Sequence, residues 1–186
     1  MRVSSTLIVF SGLPGIGKST LSRSLLGYGK AVYLRVDSVE AALSNSGLRR
    51  VMVEGYAVAY ALALDNLRLG HDVVVDCVNP VSETRTAWQE IARQAEANLI
   101  NVEVSCSDLG EHRRRVEGRF SDAANYVGRW SPPSWEEVLS SCKTYQPWTI
   151  PTVQIDLARL TPELAAASLL AELDKLGYTL PNAPAP

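Results

Sequence analysis

The chain has 186 residues, 46% hydrophobic and 20% charged, with a formal net charge of −2. That composition suits one soluble α/β domain with its own core, and it gives no support to capture of nucleic acid by bulk electrostatics. Cys77, Cys106 and Cys142 are odd in number and form no C-x-x-C pair, which points to a reduced, cytoplasmic protein without disulfides.

Met1-Arg2-Val3 runs straight into the first predicted strand, so no leader peptide is expected, and the most apolar run, Gly55 to Leu64, is too short to cross a membrane. Thr6-Leu7-Ile8-Val9-Phe10 is a β-branched apolar run that predicts a buried parallel strand. Gly12-Leu13-Pro14-Gly15-Ile16-Gly17-Lys18-Ser19, with Thr20 behind it, then satisfies G-x-x-x-x-G-K-[ST], the Walker A or P-loop pattern. Gly12, Gly15 and Gly17 let the backbone curl so that N–H groups point at phosphate oxygens, and the helix predicted over Ser19 to Leu26 aims its positive end at the same anion. Lys18 can reach the β- and γ-phosphates, and the Ser19 hydroxyl is placed to ligate Mg²⁺. Leu21, Leu25 and Leu26 lie on one face of that helix.

Gly27-Tyr28-Gly29 stops the helix, and 31–36 reads as the second strand, ending on Asp37-Ser38. Asp37 stands where open parallel sheets place their ligands, and it can also cap the next helix with Glu40 completing a capping box. A short helix is expected over Ala41 to Asn45 and a long Ala-rich one over Arg49 to Leu69, with Val51, Val58, Leu62 and Leu69 at helical spacing and the Ala-rich face as a packing surface. The third strand, 72–78, carries Asp76 after three valines, in the manner of a Walker B acid that holds Mg²⁺ through water. A helix from Ser82 to Ala97 carries Arg85, Trp88 and Ile91, and 98–105 is a fourth strand.

Next comes a basic helix, Glu111 to Arg119, in which Arg115 and Arg119 lie one turn apart and could clamp a polyphosphate. Arg113 and Arg114 are close enough that the register could slip. Residues 121–133 form a loop suited to a lid, the lid region as a whole covering about 108–133. Ser134-Trp135-Glu136-Glu137 opens another helix with a capping-box pattern, 152–156 is the last strand, and Thr161 with Pro162 starts a closing helix to Leu176. The domain is read as 1–178 with a Pro-rich tail, 179–186. Trp130, Trp135 and Trp148 could wall a pocket or simply fill core, and His71 and His112 have no ligand-spaced companions.

Strands alternating with helices predict a parallel sheet covered on both faces, a three-layer α/β/α sandwich. The P-loop, Asp37, Asp76 and the Arg115/Arg119 helix all follow strand ends, so one cleft can hold them. ATP and Mg²⁺ are the expected cofactors, with Asp37 accepting a proton from an attacking hydroxyl.

These motifs resemble the small P-loop kinases around chloramphenicol phosphotransferase, zeta toxin and the kinase domain of polynucleotide kinase. The resemblance runs from Thr6 to Leu176. It implies a P-loop NTPase fold with a five-stranded sheet ordered 2-3-1-4-5 and ATP-dependent transfer to a hydroxyl of a small-molecule acceptor. It maps the acceptor-side base to Asp37, lid arginines to Arg115 and Arg119, and an acceptor-facing arginine to Arg85. Residues 38–50 match no acceptor signature, so the acceptor does not carry over. A polynucleotide 5′-hydroxyl kinase, with Tyr126 and Trp130 stacking on bases, is the nucleic-acid alternative, and a switch ATPase or a regulatory nucleotide binder is the other. Monomer and homodimer are both compatible with the sequence, and no membrane association is expected.

Overall fold

The described residues of the computed structural model, 4–119 and 131–179, hold five strands and seven helices. The strands are β1 (Thr6–Ser11), β2 (Val32–Arg35), β3 (Val73–Asp76), β4 (Asn98–Ser105) and β5 (Val153–Asp156). The helices are α1 (Lys18–Leu26), α2 (Val36–Asn45), α3 (Glu54–Arg68), α4 (Ser82–Ala95), α5 (Leu109–Gly118), α6 (Trp135–Thr144) and α7 (Pro162–Lys175). All strand pairs are parallel, in the order β2-β3-β1-β4-β5. The five-stranded P-loop sandwich expected from the sequence is therefore the one observed.

Parallel strands need both faces covered, and the period-2 alternation divides β1 between two cores. Ile8 and Phe10 join Leu21 and Leu25 of α1 and Leu169 and Leu173 of α7 on one side. Leu7 and Val9 face Ala59, Ala63 and Leu67 of α3 and Trp88 and Ala92 of α4 on the other. β1 sits between β3 and β4 with all six residues buried, so the loop after it springs from the most rigid part of the sheet.

Some boundaries and faces differ from the expectation. The helix after β2 starts at Val36 rather than Ala41, with Arg35 as its N-cap residue in extended conformation. Strand passes into helix without a loop, so Asp37 lies in the first turn and makes no capping hydrogen bond; the capping box with Glu40 does not form. α3 begins at Glu54, whose carboxylate accepts from the Met52 N–H and fixes the turn before it. Its buried stripe is Gly55, Ala59, Ala63 and Leu67, whereas Val58, Leu62 and Leu69 are exposed. The Ala-rich face does pack, its small side chains letting α3 lie close against the sheet and α4, with Leu67 filling the core at its C-terminal end. The capping box at Ser134 and Glu137 and the Thr161 cap followed by Pro162 form as predicted.

All three cysteines are free. Among the described residues no helix is long and apolar enough to cross a membrane. Of the region expected to act as a lid, 120–130, with Tyr126 and Trp130, lies outside the described residues, as does the tail 180–186.

The packed Ala-rich face of α3 gives a direct test. Ala59→Leu should destabilise the protein by about 1–3 kcal/mol through overpacking, while Leu62→Ala should change stability by no more than about 0.5 kcal/mol. Urea unfolding of the two variants distinguishes them.

Candidate functional site

A cleft of about 990 Å³ opens where the C-terminal ends of β1, β2 and β3 meet α5. Its floor is the P-loop. Gly12, Gly15 and Gly17 have φ of +140°, +83° and +111°, which L side chains rarely adopt. A Cβ at Gly15 would also collide with Val116 of α5, so the loop and that helix pack with no space to spare. Gly17 is the N-cap of α1, and the first turn carries neither a capping side chain nor an acidic residue. Helix N–H groups left without a side-chain acceptor at the positive dipole end make an anion site.

Lys18 is 7% exposed and its Nζ donates to the Leu13 carbonyl at 2.8 Å. Burial pushes its pKa down, and the Asp76 and Asp37 carboxylates push it back up. Ser19 and Thr20 line the same cleft. Asp76 ends β3, next to β1, and is 3% exposed. Its Oδ2 accepts from the Tyr33 hydroxyl at 2.9 Å and lies 3.7 Å from Arg35 Nε. Arg35 Nη2 donates to Asp37 Oδ2 at 2.8 Å. One guanidinium thus joins the two candidate carboxylates, a role that sequence reasoning missed. The sole hint was a charged residue closing an apolar strand two positions before Asp37.

The opposite wall is α5. Arg115 donates to Ile16 O at 2.9 Å, to Leu157 O at 2.8 Å and to Glu111 Oε1 at 2.7 Å. It therefore ties the P-loop to the segment after β5. Arg119 also lines the cleft, and its charge acts on Lys18. Arg114 lines the cleft as well, paired with Glu111, while Arg113 pairs with Glu117 at 2.7 Å away from the lining. Arg114, Arg115 and Arg119 thus line the cleft, and Arg113 does not. Hydrogen bonds from Arg114 and Arg115 hold the Glu111 carboxyl at about 2, well below its ordinary value.

His112 was not singled out by the sequence. It is 3% exposed, its Nε2 lies 2.8 Å from the Pro14 carbonyl, and its ring meets Trp135 edge-on at 5.2 Å. A carbonyl only accepts, so Nε2 carries the proton. His112 latches α5 and α6 onto the P-loop, and Trp135 serves this contact. Burial lowers its pKa, with Lys18 and Arg115 adding to the effect. Cys77 lines the cleft too, but burial pushes its thiol up and keeps it protonated.

Arg85 requires a correction. It does not line the cleft; it is 4% exposed at the start of α4. Its guanidinium donates to the carbonyls of Asn79 (3.2 Å), Pro147 (2.8 Å), Gln146 (2.7 Å) and Pro80 (3.4 Å) and stacks on Trp148 at 4.1 Å. Those bonds engage its N–H groups, so it fastens the turn after β3 to the segment after α6. Asn79, fully buried, completes the knot: its Nδ2 donates to Ser11 Oγ at 3.0 Å, and its backbone N–H donates to the Tyr56 hydroxyl at 2.8 Å.

A family model described as an AAA domain matches residues 7–127. A guanylate kinase from Ruegeria pomeroyi is 24% identical over 159 residues, covering 71% of this chain and 71% of that protein. Kti12 of Chaetomium thermophilum, solved in complex with ADP-AlF3, superposes with a TM-score of 0.70 at 18% identity, covering 97% of this chain and 100% of that one. A gluconokinase from Sinorhizobium meliloti superposes with a TM-score of 0.62 at 18% identity, covering 95% and 98%. The shared fold is that of the small P-loop kinases.

Two outcomes follow from this geometry. Arg85→Ala should cost about 3 kcal/mol of stability by stranding buried carbonyls, without raising the KM for an acceptor at temperatures where it stays folded. For His112, the unfolded chain binds protons more readily, so its contribution to stability is present above the ordinary histidine pKa and is lost as pH falls below it. Melting temperatures at neutral and mildly acid pH should fall more for the wild type than for His112→Gln.

Proposed function

The chain belongs to this AAA-domain family, and on that premise we propose that it is an ATP-dependent phosphotransferase acting on a hydroxyl of a small-molecule acceptor. The observation that carries this reading is the meeting, in one cleft, of an uncapped helix N-terminus with Lys18, a carboxylate wall and an arginine wall.

The P-loop N–H groups and Lys18 bind the β- and γ-phosphates of ATP. The donors for a divalent ion fit: Ser19 Oγ and the buried Asp76 carboxylate are oxygen ligands in the same cleft, and Mg²⁺ takes few protein ligands beside phosphate. Bound there, Mg²⁺ would neutralise charge on the phosphates. Arg35 holds one oxygen of Asp37, which orients the carboxylate and leaves its other oxygen for the acceptor hydroxyl. As the acceptor oxygen attacks Pγ, its proton passes to Asp37 and the bond from Pγ to the ADP oxygen breaks. Arg119 and Lys18 stabilise charge on the transferring group, while Arg115 positions the loop.

Asp37→Asn should lower acceptor phosphorylation by about 10²–10⁴-fold while leaving ATP binding within about threefold. Transfer of radiolabelled γ-phosphate across a panel of nucleosides, sugars, amino sugars and 5′-hydroxyl oligonucleotides measures this. No labelled acceptor, with ATP hydrolysis indifferent to Asp37→Asn, would replace the reading with a nucleotide-dependent switch.

A further inference from the structure

The acceptor side of the cleft is acidic in an unusual way. Glu40 lies three residues after Asp37 on α2, and both carboxyls line the cleft. The seat of Glu40 is built for it: a Cβ on Gly55 in the first turn of α3 would lie 2.5 Å from Glu40 Cγ and 3.0 Å from its Oε1. Glu40 is half-buried and makes no hydrogen bond or ion pair among the described residues. The cation on that wall, Arg35, is already engaged by Asp37 at 2.8 Å and stands 3.7 Å from Asp76. The other cations lining the cleft belong to α1, α5 and the residue that follows α5: Lys18, Arg23, Arg114, Arg115 and Arg119.

A half-buried carboxylate beside a second carboxylate, with no partner, is costly to keep ionised unless a ligand supplies the opposite charge. We propose that Glu40 sets acceptor specificity by pairing with a protonated amine, so that the cleft selects hydroxyl-bearing amines over neutral and anionic hydroxyl compounds. This rests on the phosphotransferase reading and adds the acceptor class to it. Asp37 takes the hydroxyl proton, and Glu40, about one helical turn away, holds the ammonium group. Burial and the nearby Asp37 push the Glu40 carboxyl up to about 7. An ammonium partner offsets both costs. A phosphate, sulfate or carboxylate in its place would meet repulsion.

The test uses the full chain with Mg-ATP at about pH 8, where Glu40 is ionised. Label transfer is compared within two matched series whose amines stay protonated at that pH: 3-aminopropanol, 1,3-propanediol and 3-hydroxypropanoate; then ethanolamine, ethylene glycol and glycolate. The amine member should exceed the neutral one in kcat/KM by about tenfold or more. Glu40→Gln should cut that ratio by about tenfold, and Gly55→Ala, which pushes the carboxyl off its seat, should lower it in the same direction. Both variants are checked for an unchanged melting profile. Preference for a neutral or anionic member, or a ratio unmoved by Glu40→Gln, overturns the proposal and leaves phosphoryl transfer standing. No label in any acceptor, amines included, overturns both.

Discussion

An ammonium group withdrawn from water needs opposite charge close by, and Lys18 is such a group. The carboxylates that act on it are Asp76, which ends β3, and Asp37, in the first turn of α2. Those two in turn are joined through Arg35. The site is therefore one charge network rather than a set of separate residues. Removing Arg35 takes from Asp76 and Asp37 the cation that joins them.

The sheet order makes this network affordable. With β1 between β3 and β4, the loop after β1 lies directly beside the end of β3, and Asp76 needs no long side chain to reach it. β2 pairs with β3 so that Arg35 stands opposite Asp76 in the register. α5 then closes the loop from the other side through Arg115, His112 and Val116. Three contacts from one helix onto one loop mean that a movement of α5 is felt by the phosphate site. The loop is held from beneath by the Gly12–Val78 and Ser11–Asn79 hydrogen bonds, so it presents its N–H groups from a fixed frame.

Local chemistry made much of this legible. The P-loop spacing, the valine run ending in Asp76 and the helix caps at Ser134 and Thr161 are short-range signals, and each appears where it was expected. The sheet order came with the family resemblance rather than from any residue pattern. What escaped were roles set by distant partners. Arg85 was expected from the resemblance to face the acceptor, but its guanidinium donates to carbonyls that include two more than sixty residues away. Arg35, Glu40 and His112 gain their meaning from Asp76, Gly55 and Pro14, none of which is a sequence neighbour. The Ala-rich face of α3 packs as expected, with Gly55, Ala59, Ala63 and Leu67 buried, while the larger Val58 and Leu62 point outward.

The central claim is that this cleft is a nucleotide triphosphate site built around Lys18. Calorimetric titration of Mg-ATP into the wild type and into Lys18→Ala tests it most directly. The account predicts saturable one-to-one binding by the wild type, weakened by about tenfold or more in the variant. A wild-type protein that binds no Mg-ATP, or a folded Lys18→Ala variant that binds it equally well, would contradict it.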